Sequence, residues 1–133
     1  RYCDDMTFSA DIPLYPVFKR AKDMLENMGF ELNENKTRFI NSNNRQSVTG
    51  ITVNERLSVS ADYKRRLRQE VYYALKYGLT DSILHTDNTE LLTDGKPDVE
   101  RYFNYLQGKI NFVLQIEPDN KWFCEAKSKL NRL

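Results

Sequence analysis

The chain has 133 residues and a formal net charge of +1. That length makes one domain or two small lobes, and the near-neutral whole-chain balance does not argue for nucleic acid, although the distribution of charge does. The 40% apolar content, with eight Tyr and seven Phe, gives a modest core, and no apolar run reaches the length of a membrane span.

The chain opens on Arg1 with no Met and no signal-peptide pattern. It reads as a piece cut from inside a larger protein, entering partway through a hairpin. In Arg1-Tyr2-Cys3-Asp4-Asp5-Met6-Thr7-Phe8-Ser9-Ala10, apolar Met6, Phe8 and Ala10 alternate with polar Thr7 and Ser9. That period fits a half-buried strand and puts Asp4 and Asp5 at the tip of a tight hairpin. Adjacent carboxylates repel unless a cation offsets them. Mg²⁺ in polymerase sites is held by one or two carboxylates plus substrate phosphates. The pair therefore points to metal-assisted nucleotidyl transfer, against the plainer reading of a solvated acidic turn. Cys3 and Cys124, the two cysteines, show no metal-type spacing, and a reduced, cytoplasmic setting is the simplest reading.

After a loop with Pro13 and Pro16, a helix is expected over Val17–Met28. Val17, Phe18, Ala21, Leu25 and Met28 form its apolar stripe, and Gly29 stops it. Short strands are expected at Phe30–Leu32, Lys36–Ile40 and Ser47–Val53, with Asn41–Asn44 as a polar turn. Gly50 suggests a bulge or a close backbone approach. The longest helix is expected over Ser60–Tyr77, with Tyr63, Leu67, Val71 and Ala74 inward. Its outer face carries Lys64, Arg65 and Arg68, neighbours by helical spacing, while Arg66 is placed to pair with Glu70. Thr80–Lys96 is a polar stretch with room for a small helical piece near Leu91. Pro97–Gly108 reads as a helix with Val99, Tyr102, Phe103 and Leu106 on one face, and Lys109–Gln115 as a continuation after a break. A last helix is expected over Lys121–Leu133, with Trp122, Phe123, Ala126 and Leu130 inward. His85, the lone histidine, has no partner visible in sequence. The fold class is α+β: a small β-rich piece, then a helical lobe.

Four strings, in order, carry a family resemblance. Tyr2-Cys3-Asp4-Asp5 with Met6-Thr7-Phe8-Ser9 resembles the YxDD hairpin of bacterial reverse transcriptases, with Cys in place of the usual Ala. Gly29-Phe30 to Lys36-Thr37-Arg38 resembles the block that follows. Arg45-Gln46-Ser47-Val48-Thr49-Gly50-Ile51-Thr52-Val53-Asn54 is similar to the RQxVTGxxVN segment of retron-type enzymes. Leu106-Gln107-Gly108-Lys109-Ile110 is similar to their later LxGKI block. The match spans positions 1 to 113 and is weak beyond them.

The resemblance implies a polymerase that copies a partner noncoding RNA into DNA, in bacteria and often in antiviral defence. Residues 1–57 would be the C-terminal part of the palm and residues 58–133 the thumb. Asp4 and Asp5 would hold Mg²⁺, and two such ions stabilise both ends of an in-line displacement. Tyr2 and Cys3 would lie beside the primer end. Lys36 would sit near departing pyrophosphate, where a cation offsets developing charge. Val48, Thr49 and Gly50 would meet the structured RNA. Lys64, Arg65 and Arg68 would follow the RNA/DNA duplex backbone. The family's upstream Asp and its fingers, which bind deoxynucleoside triphosphates, lie outside the chain, so this piece alone is expected to be inactive. Strand edges left open would invite a second copy, giving a non-native dimer. The alternatives are another prokaryotic reverse transcriptase, such as a group II intron maturase or a defence polymerase, or a non-catalytic RNA-binding thumb module.

Overall fold

A computed structural model describes residues 5–86 and 91–133. Among them are five α-helices and short antiparallel strands, an α+β composition. The backbone divides into two compact units, residues 1–48 and 49–133.

The first unit is built on α1 (Tyr15–Asn27) and ends in β1 (Ser47–Val48). The helix starts two residues before the expected Val17. Pro16 falls in its first turn, where a missing N–H costs nothing and the fixed φ suits the helix. Past its C-terminus, the Gly29 N–H donates to the Glu26 carbonyl and the Phe30 N–H to the Leu25 carbonyl. This crossed pair is the Schellman arrangement. Met6–Ala10, Phe30–Leu32 and Lys36–Ile40 are not strands. Alternating side chains do not make a strand unless a second chain segment completes the hydrogen-bond ladder. No described residue of this unit is buried. Tyr15, Phe18 and Phe39 form a ring cluster with centroids 5.3–6.4 Å apart. Lys22 Nζ lies 3.2 Å from Glu34 and 3.8 Å from Glu26. A segment this short, with one helix, has too little apolar area to enclose a core.

The second unit holds the core. β2 (Ile51–Thr52) pairs antiparallel with β3 (Ser58–Val59), Ile51 opposite Val59. Then come α2 (Ala61–Tyr77) and α3 (Leu79–His85). The hairpin of β4 (Leu92–Thr93) and β5 (Lys96–Pro97) follows. The last elements are α4 (Val99–Ile116) and α5 (Lys121–Leu130). Helix α2 packs against α3, α4 and α5. Leu67, Val71, Ala74, Tyr102, Leu106, Ile110, Val113, Phe123 and Leu130 are essentially inaccessible to solvent. A fully buried side chain of this size is worth about 1.5–3 kcal/mol of transfer free energy.

Side-chain caps set the helix starts. Ser60 Oγ accepts from the Tyr63 N–H, Asp98 from Arg101 and Asn120 from Phe123. Each satisfies one of the orphan donors of a first turn. Asp98 Oδ2 also accepts the Thr93 hydroxyl at 2.9 Å, which ties the hairpin to the helix it precedes. The Arg101 backbone and Thr93 hydrogen bonds hold the Asp98 carboxyl below its usual range.

Three expectations change here. The polar stretch from Thr80 contains a helix and a hairpin. Asp94 (φ 53°) and Gly95 (φ 74°) both take the left-handed turn conformation that a two-residue type I′ hairpin requires. The anticipated break at Gly108 is absent, and α4 runs unbroken for 18 residues, one more than α2. Trp122 is 38% exposed rather than inward, while Phe123, Ala126 and Leu130 are buried.

Gly108 sits inside α4, and a Cβ built there meets nothing within 4 Å. Gly108→Ala is therefore expected to stabilise the chain by about 0.5–1 kcal/mol, read from urea unfolding midpoints. Destabilisation would mean that the surroundings of Gly108 are tighter than they stand.

Candidate nucleic-acid interface

The acidic tip is only partly described. Tyr2, Cys3 and Asp4 lie outside the described residues, and Asp5 is exposed. Among the described residues no three His, Cys, Asp or Glu side chains converge to hold a metal ion. The divalent-cation reading rests on the acidic pair in the sequence. Lys36 is exposed, at the end of a turn in which its N–H donates to the Asn33 carbonyl at 3.1 Å. The Thr37 hydroxyl caps the same carbonyl at 3.1 Å.

Val48, Thr49 and Gly50 do not lie in a continuous strand. Thr49 (φ 48°) and Gly50 (φ 83°) form the turn between β1 and β2. Gly tolerates that conformation; a β-branched Thr does so only under strain. Strain of this kind, about 1–3 kcal/mol per residue, concentrates at functional positions. Thr49 and Gly50 are exposed and Val48 is half-buried. The bulge read into Gly50 is thus a turn, and its open side faces solvent with nothing within 4 Å of a built Cβ.

Helix α2 carries five cations, Lys64, Arg65, Arg66, Arg68 and Lys76, against Asp62 and Glu70. Their environments differ. Lys64 is not on a free outer face: its ammonium meets Glu117 Oε1 at 2.7 Å, with 17% and 16% of the two side chains exposed. Glu117, at the C-terminal end of α4, also accepts the Val59 N–H at 2.9 Å and the Asn120 amide at 2.8 Å. Burial pushes the Glu117 carboxyl up, but the bonds from Lys64, Asn120 and Val59 together outweigh it and hold the group below the usual range. One carboxylate thus joins β3, α2 and the turn before α5.

Arg65 is exposed and pairs with Asp62 at 2.9 Å. Such a surface pair is worth little and gives way readily to a phosphate. Arg68 is exposed, and its guanidinium carbon lies 5.6 Å from the Trp122 ring centre and 5.5 Å from that of Phe123. The two rings stand at 79° to each other, and the guanidinium's contact with both preorganises the fork. Arg66 does not take Glu70. Lys109 does, with Nζ at 2.9 and 2.8 Å from the two carboxylate oxygens. Burial lowers the Lys109 pKa, but bonds to Glu70 and Tyr105 raise it further, leaving it above the usual value. The Lys109 of the Gly-Lys string is therefore a bolt between α4 and α2.

One feature escaped the sequence reading. Tyr72, Tyr73 and Tyr77, on the C-terminal half of α2, are 42–51% exposed. Lys76 Nζ lies 5.3 and 5.0 Å from the ring centres of Tyr72 and Tyr77. The signal was the Tyr-Tyr-x-x-x-Tyr spacing, which places Tyr73 and Tyr77 one turn apart.

No protein-family model matches the chain, and no solved structure matches it. A curated relative does: the retron Mx65 reverse transcriptase of Myxococcus xanthus is 32% identical over 121 residues, 90% of this chain. The chain spans about a quarter of that relative's length (24%). No described helix is long and apolar enough to cross a membrane. The chain is a region related to retron-type reverse transcriptases.

Proposed function

We propose that the chain is the C-terminal palm and thumb of an RNA-directed DNA polymerase that copies a partner noncoding RNA. The observation that carries this reading is the 32% identity to a retron reverse transcriptase over nine-tenths of the chain. Residues 1–57 form the end of the palm and residues 58–133 the thumb. Asp4 and Asp5, with a carboxylate from outside this chain, hold Mg²⁺, which supplies charge stabilisation at the reacting phosphoryl group. Tyr2 and Cys3 flank the primer end, and Lys36 offsets charge on departing pyrophosphate. The strained, exposed Thr49-Gly50 turn, with Val48, meets the structured RNA. On α2, Arg65 and Arg68 contact duplex phosphates, and Lys64 holds the helix in place through Glu117. Without the upstream Asp and the fingers, this piece alone does not synthesise DNA.

The test is titration of the chain with a blunt RNA/DNA duplex across a salt series. Two phosphate-binding arginines predict that Arg65→Ala and Arg68→Ala each weaken binding on every sequence. Each should also lower the slope of log affinity against log salt by about 1. Binding that is absent at low salt, or indifferent to both substitutions, overturns the thumb assignment.

A further inference from the structure

Beside the phosphate line of α2 lies a cavity of about 620 Å³, framed by α2, α3 and α4. Arg66, Gln69, Tyr73 and Tyr77 line it from α2, and His85 from α3. The spacing of Arg66, Gln69, Tyr73 and Tyr77 puts them along one side of the helix, over about 16 Å at 1.5 Å per residue. The Tyr73 and Tyr77 rings lie nearly parallel, with centres 5.9 Å apart and planes at 25°. Lys76 stands over the outer ring at 5.0 Å. Glu70 also reaches the cavity, but both its oxygens are taken by Lys109. Its charge is thereby offset, and Arg66 leaves the rim cationic.

We infer that this shelf seats an unpaired nucleotide of a nucleic-acid strand, its base on the Tyr73–Tyr77 rings and its phosphate toward Arg66. The inference rests on the RNA-binding reading above and extends it to single-stranded substrate. The volume lies within the about 300–1,000 Å³ typical of sites for one small ligand. Paired bases cannot use it, because their faces are already stacked. Aromatic shelves beside cations are the means by which proteins hold single strands with little sequence preference. Gln69 and His85 offer polar groups to a base edge, a weaker and more selective contribution. A strand, rather than a free nucleotide, is favoured because the exposed Arg65 and Arg68 lie within one helical turn of Arg66 and offer cations to further phosphates.

The test uses the full chain, a short labelled oligouridylate and the blunt RNA/DNA duplex. Tyr73→Leu with Tyr77→Leu is expected to weaken oligouridylate binding about 10- to 100-fold and to leave duplex binding unchanged. Tyr73→Phe with Tyr77→Phe keeps the ring faces and is expected to keep the affinity. Arg66→Gln is expected to lower single-strand affinity and its salt slope. Both tyrosines are half-exposed, so helicity by circular dichroism should match across the set. Undiminished oligouridylate binding by the Leu variant would leave the rings as a surface for a protein and overturn the inference. Equal loss in the Phe variant, parallel loss of duplex binding, or competition by uridine monophosphate as effective as by the strand would each overturn it too. Where duplex binding persists, only the shelf fails; where the wild-type chain binds neither probe, the thumb assignment fails with it.

Discussion

Glu117→Ala is expected to destabilise the second unit by about 3 kcal/mol. The substitution strips the Val59 N–H of its acceptor on a residue that is 3% exposed, and an unsatisfied buried donor costs about 1–3 kcal/mol. It also leaves the partly buried Lys64 ammonium without its partner, which costs more than the ion pair itself contributes. Glu117→Gln keeps an acceptor for Val59 and loses the charge, so about half that effect is expected. The pH dependence follows from the depressed carboxyl. Its contribution is complete above the ordinary glutamate value of 4.5 and is lost as pH falls through the lower folded value. The gap between wild type and the Gln variant should therefore be constant near neutrality and close below about pH 4.5. Urea unfolding at a series of pH values measures it. A gap that persists unchanged into acid would show that packing, not charge, ties β3 to α4. The same experiment separates two roles for Lys64. Lys64→Met should lower stability with little change in the salt slope of duplex binding if its ammonium serves Glu117.

The helices of the second unit were legible because each has a start signal, a stop signal and a periodic apolar face. Ser60, Leu67, Val71, Ala74 and Gly78 bound and orient α2 without outside help. What failed was of two kinds. Strand expectations at Met6–Ala10 and Lys36–Ile40 rested on side-chain pattern alone, and a strand exists only through its neighbour. Local chemistry was also passed over: Asp94-Gly95 is among the strongest short hairpin signals, yet the surrounding polarity made the stretch look like loop. Gly108 misled in the opposite sense, because a single glycine weakens a helix without ending one whose other face is buried. The cation line on α2 could be read, but not which cation was spoken for. Lys64 and Glu117 are 53 residues apart, as are few partners that sequence spacing reveals. Glu70 likewise went to Lys109, 39 residues away, and not to Arg66, one helical turn before it.

In the full-length parent, Asp4→Asn is expected to lower DNA synthesis by well over about 100-fold while leaving RNA binding nearly unchanged. Substituting a partner that merely orients a metal ligand typically costs 10- to 100-fold, so losing a ligand should cost more than about that. The amide keeps the size and hydrogen-bonding reach of the carboxylate and removes its charge, so the change tests charge rather than shape. With Asp4 proposed as the stronger metal ligand and Asp5 as the supporting one, Asp5→Asn is expected to cost less, and Lys36→Ala less again, because a lysine proposed to face the pyrophosphate would offset charge without holding the ion. RNA binding is the control, since its proposed determinants, Val48 to Gly50 and the cations of α2, are distant in sequence from the acidic tip. Loss of synthesis and binding in equal measure would mean that the substitution unfolds the protein. Synthesis that survives Asp4→Asn would remove the acidic pair from the chemistry and leave the chain related to reverse transcriptases in sequence but not in catalytic role.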